Sequence, residues 1–381
     1  MRKTLILLLT IIFFLFSASP VVAQIEPSIS AASAILVDAK SGQILWQRNA
    51  HQRCPMASTT KIMTAILILE YGRLADVVTS TQRASDVGES KIYLTAGERR
   101  TIEELLYGMM LESANDATVA LAEYLGGTVE NFVQLMNRKA RIIGARNTHF
   151  ANPHGLHSDD HYSTAYDLSL IARYGLLDAK FAKIVSTKDY TIPWPGNQYP
   201  RRLKNHNKLL WMYPHADGIK TGYTKQAGHC LISSATKDNI SLICVVLGAL
   251  NSEACYNDSQ QLLGYGFNSF KREKVVRKGK VYAQIPLPTW GNRKLNLIAT
   301  RDLTFLVKQQ PRSLRTEVRV DRPVLLPITK GQKIGEIRII QDGYELGRAD
   351  LAAERTILEP TFIEKFFIYI RSLMRKAWRR K

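Results

Sequence analysis

The sequence has few cysteines and lacks the two short patterns that most often bind zinc. No Cys-x-x-Cys pair and no His-Glu-x-x-His occurs in the 381 residues. Two of the cysteines, Cys230 and Cys244, lie in apolar runs typical of strands, where a thiol acts as a small buried hydrophobe. The histidines of one turn-rich stretch are interpreted as loop residues and not as metal ligands: His154, His157 and His161.

Acidic residues are also scarce, since 33 Asp and Glu face 52 Lys and Arg, a formal net charge of +19. Such an excess can indicate nucleic-acid binding, but part of it lies in the C-terminal tail, and the N-terminal residues have the pattern of an export signal, as described next. We therefore expect no nucleic-acid partner. A hydrophobic content of 45% and a charged content of 22% predict a globular protein with a sizeable core, and the length allows two domains.

Residues 1–23 have the pattern of a secretory signal peptide. Arg2 and Lys3 precede an apolar stretch, and small residues stand before a predicted cleavage at Gln24. An uncleaved membrane anchor is the alternative. In both cases the sequence predicts that the body of the protein is exported.

The stretch around Ser58 predicts a helix with a nucleophile at its start. Apolar residues follow at helical spacing, namely Ile62, Ala65, Ile66 and Leu69. A helix that begins at or just before Ser58 places Ser58 and Lys61 on one face, one turn apart. Burial beside an apolar helix lowers a lysine pKa, and a neutral lysine can accept the hydroxyl proton of a serine. Ser-x-x-Lys is common, however, and an ordinary helix start with a solvated lysine is the alternative.

Two later motifs have the same ambiguity when each is taken alone. Ser113 and Asn115 stand between two helical stretches, where both side chains could face one cleft or could simply cap a helix. Lys220-Thr221-Gly222 precedes two predicted strands, residues 229–235 and 240–247, and itself fits a strand. A glycine on that strand would let a substrate backbone approach closely.

Together the three motifs form a known set in a known order. With the stretches at 56–65, 152–156, 217–222 and 227–231, the chain resembles the low-molecular-mass D-alanyl-D-alanine carboxypeptidases, which are serine peptidases and penicillin-binding proteins. The resemblance covers nearly the whole chain. It implies an α/β fold like that of β-lactamases and transpeptidases, with an antiparallel sheet flanked by helices, followed by a small all-β domain.

The resemblance also implies a role for each motif residue. Ser58 would be the nucleophile, Lys61 its general base, and Ser113 would pass a proton to the departing D-alanine. The backbone N–H groups of Ser58 and Tyr223 would hold the oxyanion. The residues implied in substrate binding are Asn115, Lys220, Thr221, Gly222 and Tyr223. β-Lactams would be covalent inhibitors, and no metal or cofactor is implied.

One position departs from the family pattern. Many members have an arginine, linked to the substrate carboxylate, before the helix that follows the last strand of the sheet. Here Cys255 stands at that place. Lys220 and Thr221 would then bind the carboxylate, or Arg201 or Arg202 would reach the site from a loop.

The pattern predicts four segments along the chain. Residues 1–23 are the signal, 24–268 the catalytic domain, 272–356 an all-β domain broken by prolines and glycines, and 360–381 an amphipathic helix. A helix is expected over 253–267, and residues 271–280 are interpreted as a basic linker. The all-β domain could be a spacer or a surface for a partner.

The tail has the pattern of a helix that lies in a membrane interface. Its apolar residues share one face, and residues 361–381 carry seven basic residues and one acidic residue. Its apolar run is too short to span a bilayer. A helix packed on a partner protein is the alternative. We expect a peripheral protein on the outer face of the bacterial cytoplasmic membrane.

Three other functions fit parts of this pattern. A D,D-endopeptidase or a β-lactamase would use the same fold and motifs, but β-lactamases usually lack the distal domain and tail. A catalytically inactive wall-binding protein would not need all of the motif residues.

Overall fold

The computed structural model describes residues 26–290, 293–309, 314–321 and 323–378. The predicted signal peptide and the last three residues of the predicted tail helix lie outside these ranges. The α-helices are α1 (Lys61–Tyr71), α2 (Gln82–Asp86), α3 (Ile102–Leu111), α4 (Asn115–Gly126), α5 (Val129–Ile143), α6 (Ala165–Gly175), α7 (Ala179–Ser186), α8 (Leu209–Met212), α9 (Ser252–Ser269) and α10 (Phe362–Trp378). The strands are β1 (Ser33–Asp38), β2 (Ile44–Arg48), β3 (Val77–Thr79), β4 (Arg99–Thr101), β5 (Asp189–Ile192), β6 (Arg201–Lys204), β7 (Ala216–Thr224), β8 (Gly228–Lys237), β9 (Ile240–Ala249), β10 (Phe270–Val276), β11 (Val281–Leu287), β12 (Arg293–Ala299), β13 (Leu303–Lys308), β14 (Leu314–Val320), β15 (Lys333–Gln341) and β16 (Tyr344–Ala353).

The first part of the chain is built on a five-stranded sheet in the order β2-β1-β9-β8-β7. Every neighbouring pair is antiparallel. The predicted strands at 229–235 and 240–247 are confirmed, and so is the α/β fold class. Strand β7, which carries Lys220-Thr221-Gly222, is the last strand of this sheet, and no strand of the described residues lies beside its other edge.

The sheet has a hydrophobic core on each face, because successive side chains of a strand point to opposite sides. In β1, Ile35 and Val37 face the core that most of the helices share, including α1 and α3 to α7. Ala34 and Leu36 face a second core, which α9 covers. Strand β9 alternates in the same way. The central strands therefore read as continuous apolar runs, as expected where both faces are buried.

The prediction that residues 271–280 form a linker is wrong, because most of them belong to strand β10. Residues of β10 pair with β13, and Phe270 and Leu306 are buried in the second core of the catalytic domain. Lys271 and Glu273 point outward and pair with each other, so the charged residues of this run cover one face of a strand. The Arg272 guanidinium donates to the Asp38 carboxylate over 2.7 Å, which fixes β10 to the end of β1.

The predicted all-β domain is confirmed. Strands β11, β12, β16, β15 and β14 form a second antiparallel sheet in that order. Its inner face has a core of its own, formed mainly by aliphatic side chains such as Leu295, Leu297 and Ile337. The Gln43 side chain donates to the Leu306 carbonyl and accepts from the Leu306 amide. The catalytic part and the β domain are thus joined by direct contacts as well as by the chain.

Helix α10 begins at a capping arrangement of Thr361 and Glu364. The Glu364 carboxylate accepts from the Thr361 amide, and the Thr361 hydroxyl accepts from the Glu364 amide. Large apolar side chains near its start are exposed, and Phe362 reaches 87% exposure. No helix in the described part of the chain is both long and apolar enough to cross a bilayer.

Candidate active site

Ser58 lies in a short 3₁₀ turn, Ala57–Thr60, that leads into α1. A helical start near Ser58 was expected, but the α-helix itself begins only at Lys61. Two threonine hydroxyls explain the tighter turn, because Thr59 donates to the Met56 carbonyl over 2.6 Å and Thr60 to the Ala57 carbonyl over 2.7 Å. Ala57 has a φ of 47°, in the left-handed region that non-glycine residues seldom adopt.

Lys61 is fully buried, and its ammonium nitrogen has three oxygen neighbours. Nζ lies 2.9 Å from the Ser58 Oγ, 2.8 Å from the Asn115 Oδ1 and 2.6 Å from the His154 carbonyl oxygen. Burial and then the nearby Lys220 lower the pKa of Lys61 well below its usual value, while Asp116 opposes this shift. The solvated-lysine alternative is therefore wrong for this residue.

Asn115 is the first residue of α4 and its side chain faces the site. Its Nδ2 donates to the Gly88 carbonyl over 2.8 Å, so its Oδ1 must be the atom that faces Lys61. Ser113, with a φ of 60°, lies two residues earlier in the connection from α3 to α4. Ala114 is the N-cap residue of α4, and it makes no side-chain cap. The helix-capping alternative is thus wrong for both Ser113 and Asn115.

Lys220 lies on β7 and is buried to 99% of its surface. Burial lowers its pKa to about 7, and the Glu112 carboxylate opposes the shift. Its Nζ donates to the Thr221 carbonyl over 3.1 Å. Among the described residues no hydrogen bond joins Lys220 to Ser113.

The backbone of β7 passes directly beside the Ser58 turn. A Cβ atom on Gly222 would lie 2.9 Å from the Ser58 amide nitrogen and 3.1 Å from that of Thr59. Only glycine allows this approach without a shift of the turn. The next residue, Tyr223, has 60% of its surface exposed, and its ring lies 4.5 Å from that of His229. Thr221 is half-buried.

A second glycine also approaches the same turn closely. Gly155 has a φ of 93°, and a Cβ atom there would collide with the Ala57 carbonyl and lie 2.9 Å from the Ser58 amide nitrogen. The loop that carries Gly155 also supplies the His154 carbonyl to Lys61. This loop is one of the stretches that match the family, but its contact with Lys61 could not be predicted from the sequence, because the acceptor is a backbone carbonyl that any residue would supply.

Cys255 is buried in the second core, on the far side of the sheet from α1. Burial raises the pKa of its thiol, so it supplies no charge to the site. Arg201 was one of the two arginines suggested for binding the substrate carboxylate, and this suggestion is wrong. Arg201 is buried on β6, where its guanidinium donates to both oxygens of the Glu98 carboxylate. Arg202 is exposed on the same strand, since successive residues of a strand face opposite sides.

Comparison with known protein families gives two matches that divide the chain as the fold does. Residues 20–251 match the D-alanyl-D-alanine carboxypeptidase family. Residues 270–359 match the C-terminal domain of penicillin-binding protein 5.

Individual relatives match over most of the chain. D-alanyl-D-alanine carboxypeptidase DacF of Bacillus subtilis is 33% identical over 341 residues, which covers 87% of each chain. Among solved structures, the carboxypeptidase DacD from Francisella tularensis is 27% identical with a TM-score of 0.79, covering 91% of this chain and 98% of that one. Penicillin binding protein 5 from Haemophilus influenzae is 33% identical with a TM-score of 0.74, covering 88% and 99%.

Substitution of Gly155 should disturb the Ser58 turn. We expect Gly155→Ala to slow acylation of the protein by penicillin by about 100-fold, because a displacement of about 1 Å at a reacting group has an effect of that size. The matched control is Gly127→Ala, which has a φ of 71° but open space around its Cβ position. Stopped-flow acylation and thermal unfolding of both variants separate turn displacement from backbone strain. Equal acylation rates in the two variants would contradict the prediction.

Lys220 should lower the stability of the fold in a pH-dependent way. Its pKa is about 7 in the folded protein and about 10.4 in an unfolded chain, so the unfolded state binds more protons between these values. Burial of the charged Lys220 side chain therefore lowers the free energy of unfolding by its full amount below about pH 7, and by less as the pH rises toward about 10. We expect Lys220→Met to raise the free energy of unfolding by about 1–4 kcal/mol at about pH 6, and by less at about pH 9.

Urea unfolding at the two pH values measures this difference. Lys208→Met is the control, because Lys208 is exposed and should change stability little at either pH. A destabilised Lys220→Met protein at the lower pH would show that the Lys220 charge is well compensated.

Proposed function

Since the chain belongs to the D-alanyl-D-alanine carboxypeptidase family, we propose that it removes the terminal D-alanine from peptidoglycan stem pentapeptides through an acyl-enzyme on Ser58. The observation that carries this proposal is the contact of 2.9 Å between the Ser58 Oγ and the Nζ of a fully buried lysine. A serine hydroxyl needs a base to become a nucleophile, and a lysine of lowered pKa is one.

The neighbours of Lys61 support its role as a base in its neutral form. Asn115 Oδ1 and the His154 carbonyl can only accept hydrogen bonds, so Nζ must donate one proton to each. A neutral amine has two protons and one lone pair. Its lone pair is then directed at the Ser58 hydroxyl, which can donate to it.

The reaction follows from this arrangement. Lys61 accepts the hydroxyl proton as the Ser58 Oγ bonds to the carbonyl carbon between the two D-alanines. The N–H groups of Ser58 and Tyr223 hold the oxyanion. When the C–N bond breaks, the proton passes through Ser113 to the amine of the departing D-alanine. Water then hydrolyses the ester, which releases the shortened peptide and restores the Ser58 hydroxyl.

Substrate contacts follow from the edge strand. The open edge of β7 allows a peptide to add alongside Thr221, Gly222 and Tyr223. Lys220 and Thr221 would bind the terminal carboxylate, because Cys255 is an uncharged thiol in the other core and the Arg201 guanidinium already binds Glu98, while the exposed Arg202 is the alternative. Asn115 chiefly holds Lys61, because both ends of its amide already have protein partners.

The proposal also includes inhibition and location. A β-lactam has the carboxylate and the reactive carbonyl of the terminal dipeptide, and it would form a slowly hydrolysed ester with Ser58. The pattern of residues 1–23 supports export, and the exposed apolar side chains of α10 support attachment to a membrane surface.

Penicillin labelling tests the nucleophile and the base together. We expect a penicillin adduct on Ser58 and none on Ser58→Ala. Lys61→Arg should be acylated at least about 1,000-fold more slowly, because arginine keeps the charge but stays protonated in proteins. Intact-protein and peptide mass spectrometry locate the adduct, and release of D-alanine from a pentapeptide measures turnover.

Two results would contradict this assignment. An adduct on another residue would show that Ser58 is not the nucleophile, and near-normal acylation of Lys61→Arg would show that Lys61 is not the base. Thermal unfolding of each variant shows whether the fold is retained.

Removal of residues 361–381 should release the mature protein from membranes and leave its turnover of soluble peptides unchanged. Apolar side chains exposed near the start of α10 can bury in lipid, and the seven basic residues of this segment attract anionic headgroups. Binding of the full-length mature protein should weaken with salt, because salt screens surface charges. Co-sedimentation with anionic liposomes over a range of salt concentrations measures the attachment.

A full-length variant shows whether the apolar side chains of this segment, and not merely its presence, are needed for membrane binding. The variant Phe366→Glu with Phe367→Glu changes two exposed residues and should also stay in the supernatant. If the truncated protein still sediments with the liposomes, residues 361–381 are not the attachment.

A further inference from the structure

His161 is a buried histidine that the reaction described above does not use. It has 3% of its surface exposed, and its ring lies against Phe150, with 5.9 Å between the ring centres. Its Nε2 lies 2.8 Å from the Thr60 Oγ1, and its Nδ1 accepts from the Ala151 amide over 3.0 Å. Thr60 is two residues after Ser58, on the same turn.

These contacts fix which ring nitrogen carries the proton. Burial lowers the pKa of His161 to about 4, so the ring is neutral at pH 7. Because Nδ1 accepts from a backbone amide, the single ring proton is on Nε2. The Thr60 hydroxyl already donates to the Ala57 carbonyl. His161 therefore donates to Thr60, and Thr60 donates to Ala57.

Ala57, at the end of this series of hydrogen bonds, has a backbone conformation that its surroundings must stabilise. Ala57 directly precedes Ser58 and has a positive φ, a conformation that persists only when the surroundings hold it. Gly155 packs closely against the same carbonyl. The orientation of Ser58 thus depends on how firmly the Ala57 carbonyl is held.

We propose that His161 is a positioning residue, which sets the orientation of the Ser58 hydroxyl through its hydrogen bond to Thr60 and the bond from Thr60 to Ala57. This inference rests on the proposed function, since it concerns how fast Ser58 reacts. His161 does not touch the reacting atoms.

Substitution of His161 by each of the two amide residues distinguishes the effects of its two hydrogen bonds. In His161→Gln, the terminal amide reaches the place of Nε2 and can donate to Thr60. In His161→Asn, the amide oxygen takes the place of Nδ1 and can accept from Ala151, but no donor reaches Thr60. We expect penicillin to acylate His161→Asn about 10- to 100-fold more slowly than the wild type, and His161→Gln within about threefold of it.

The full mature protein is used, and thermal unfolding is followed for every variant. For pentapeptide turnover, the loss in His161→Asn should lie in kcat, with KM nearly unchanged, since the substrate contacts are elsewhere. A wild-type rate in His161→Asn would overturn the inference. Equal loss in both variants would also overturn it, because the ring would then act by filling space and not by donating to Thr60.

A second pair gives a result even if His161→Asn does not fold. Thr60→Ser keeps the hydroxyl and should react like the wild type, whereas Thr60→Val removes it and should lose about as much as His161→Asn. A fully reactive Thr60→Val protein would overturn the inference. In the double variant His161→Asn with Thr60→Val, the two losses in acylation rate should not multiply. Losses that multiply would show that the two residues act independently, which would also overturn the inference.

Wild-type protein without an adduct on Ser58 would instead overturn the proposed function, and this inference with it. Loss confined to His161→Asn and Thr60→Val, with normal acylation of the wild type, His161→Gln and Thr60→Ser, supports both.

Discussion

The structure depends most on the burial of the Lys61 side chain beside three uncharged oxygen atoms, those of an amide, a backbone carbonyl and a hydroxyl. No carboxylate touches Nζ among the described residues, although Asp116 is close enough to raise the pKa, and Lys220 lowers it. A charged ammonium is poorly stabilised in such a place. The chain therefore has to bring an amide oxygen, a backbone carbonyl and a hydroxyl to one point, and these come from α4, from the 151–161 loop and from the Ser58 turn.

Close backbone packing achieves this convergence. The Ser58 turn is held between β7 and the 151–161 loop, and each approaches it with a glycine, Gly222 and Gly155. Side-chain hydroxyls of Thr59 and Thr60 tighten the turn from within. The proposed nucleophile thus stands on a segment that β7, the 151–161 loop and its own threonine hydroxyls all contact, and a reaction that needs a well-placed hydroxyl requires such support.

Most of the secondary structure and the motif residues could be predicted from the sequence. The central strands read as apolar runs because both faces of the sheet are buried, and α1 showed helical spacing of apolar residues. Two predictions were wrong, one about a strand and one about an arginine. Residues 270–276 form a strand because they pair with β13, which lies far along the chain, and charged residues on its exposed side hid this pairing. Arg201 was considered for the carboxylate, but its partner Glu98 comes from a distant loop.

The sequence by itself determined which groups can react, because hydroxyl, amine and amide chemistry belongs to Ser58, Lys61, Ser113, Asn115 and Lys220 wherever they lie. Only the tertiary structure decided that burial lowers the pKa of Lys61, that the His154 carbonyl contacts its Nζ, and that His161 lies beside Thr60. The reason is physical. A pKa and a backbone contact depend on the solvent excluded and the atoms gathered around a group, and residues distant in the sequence supply both.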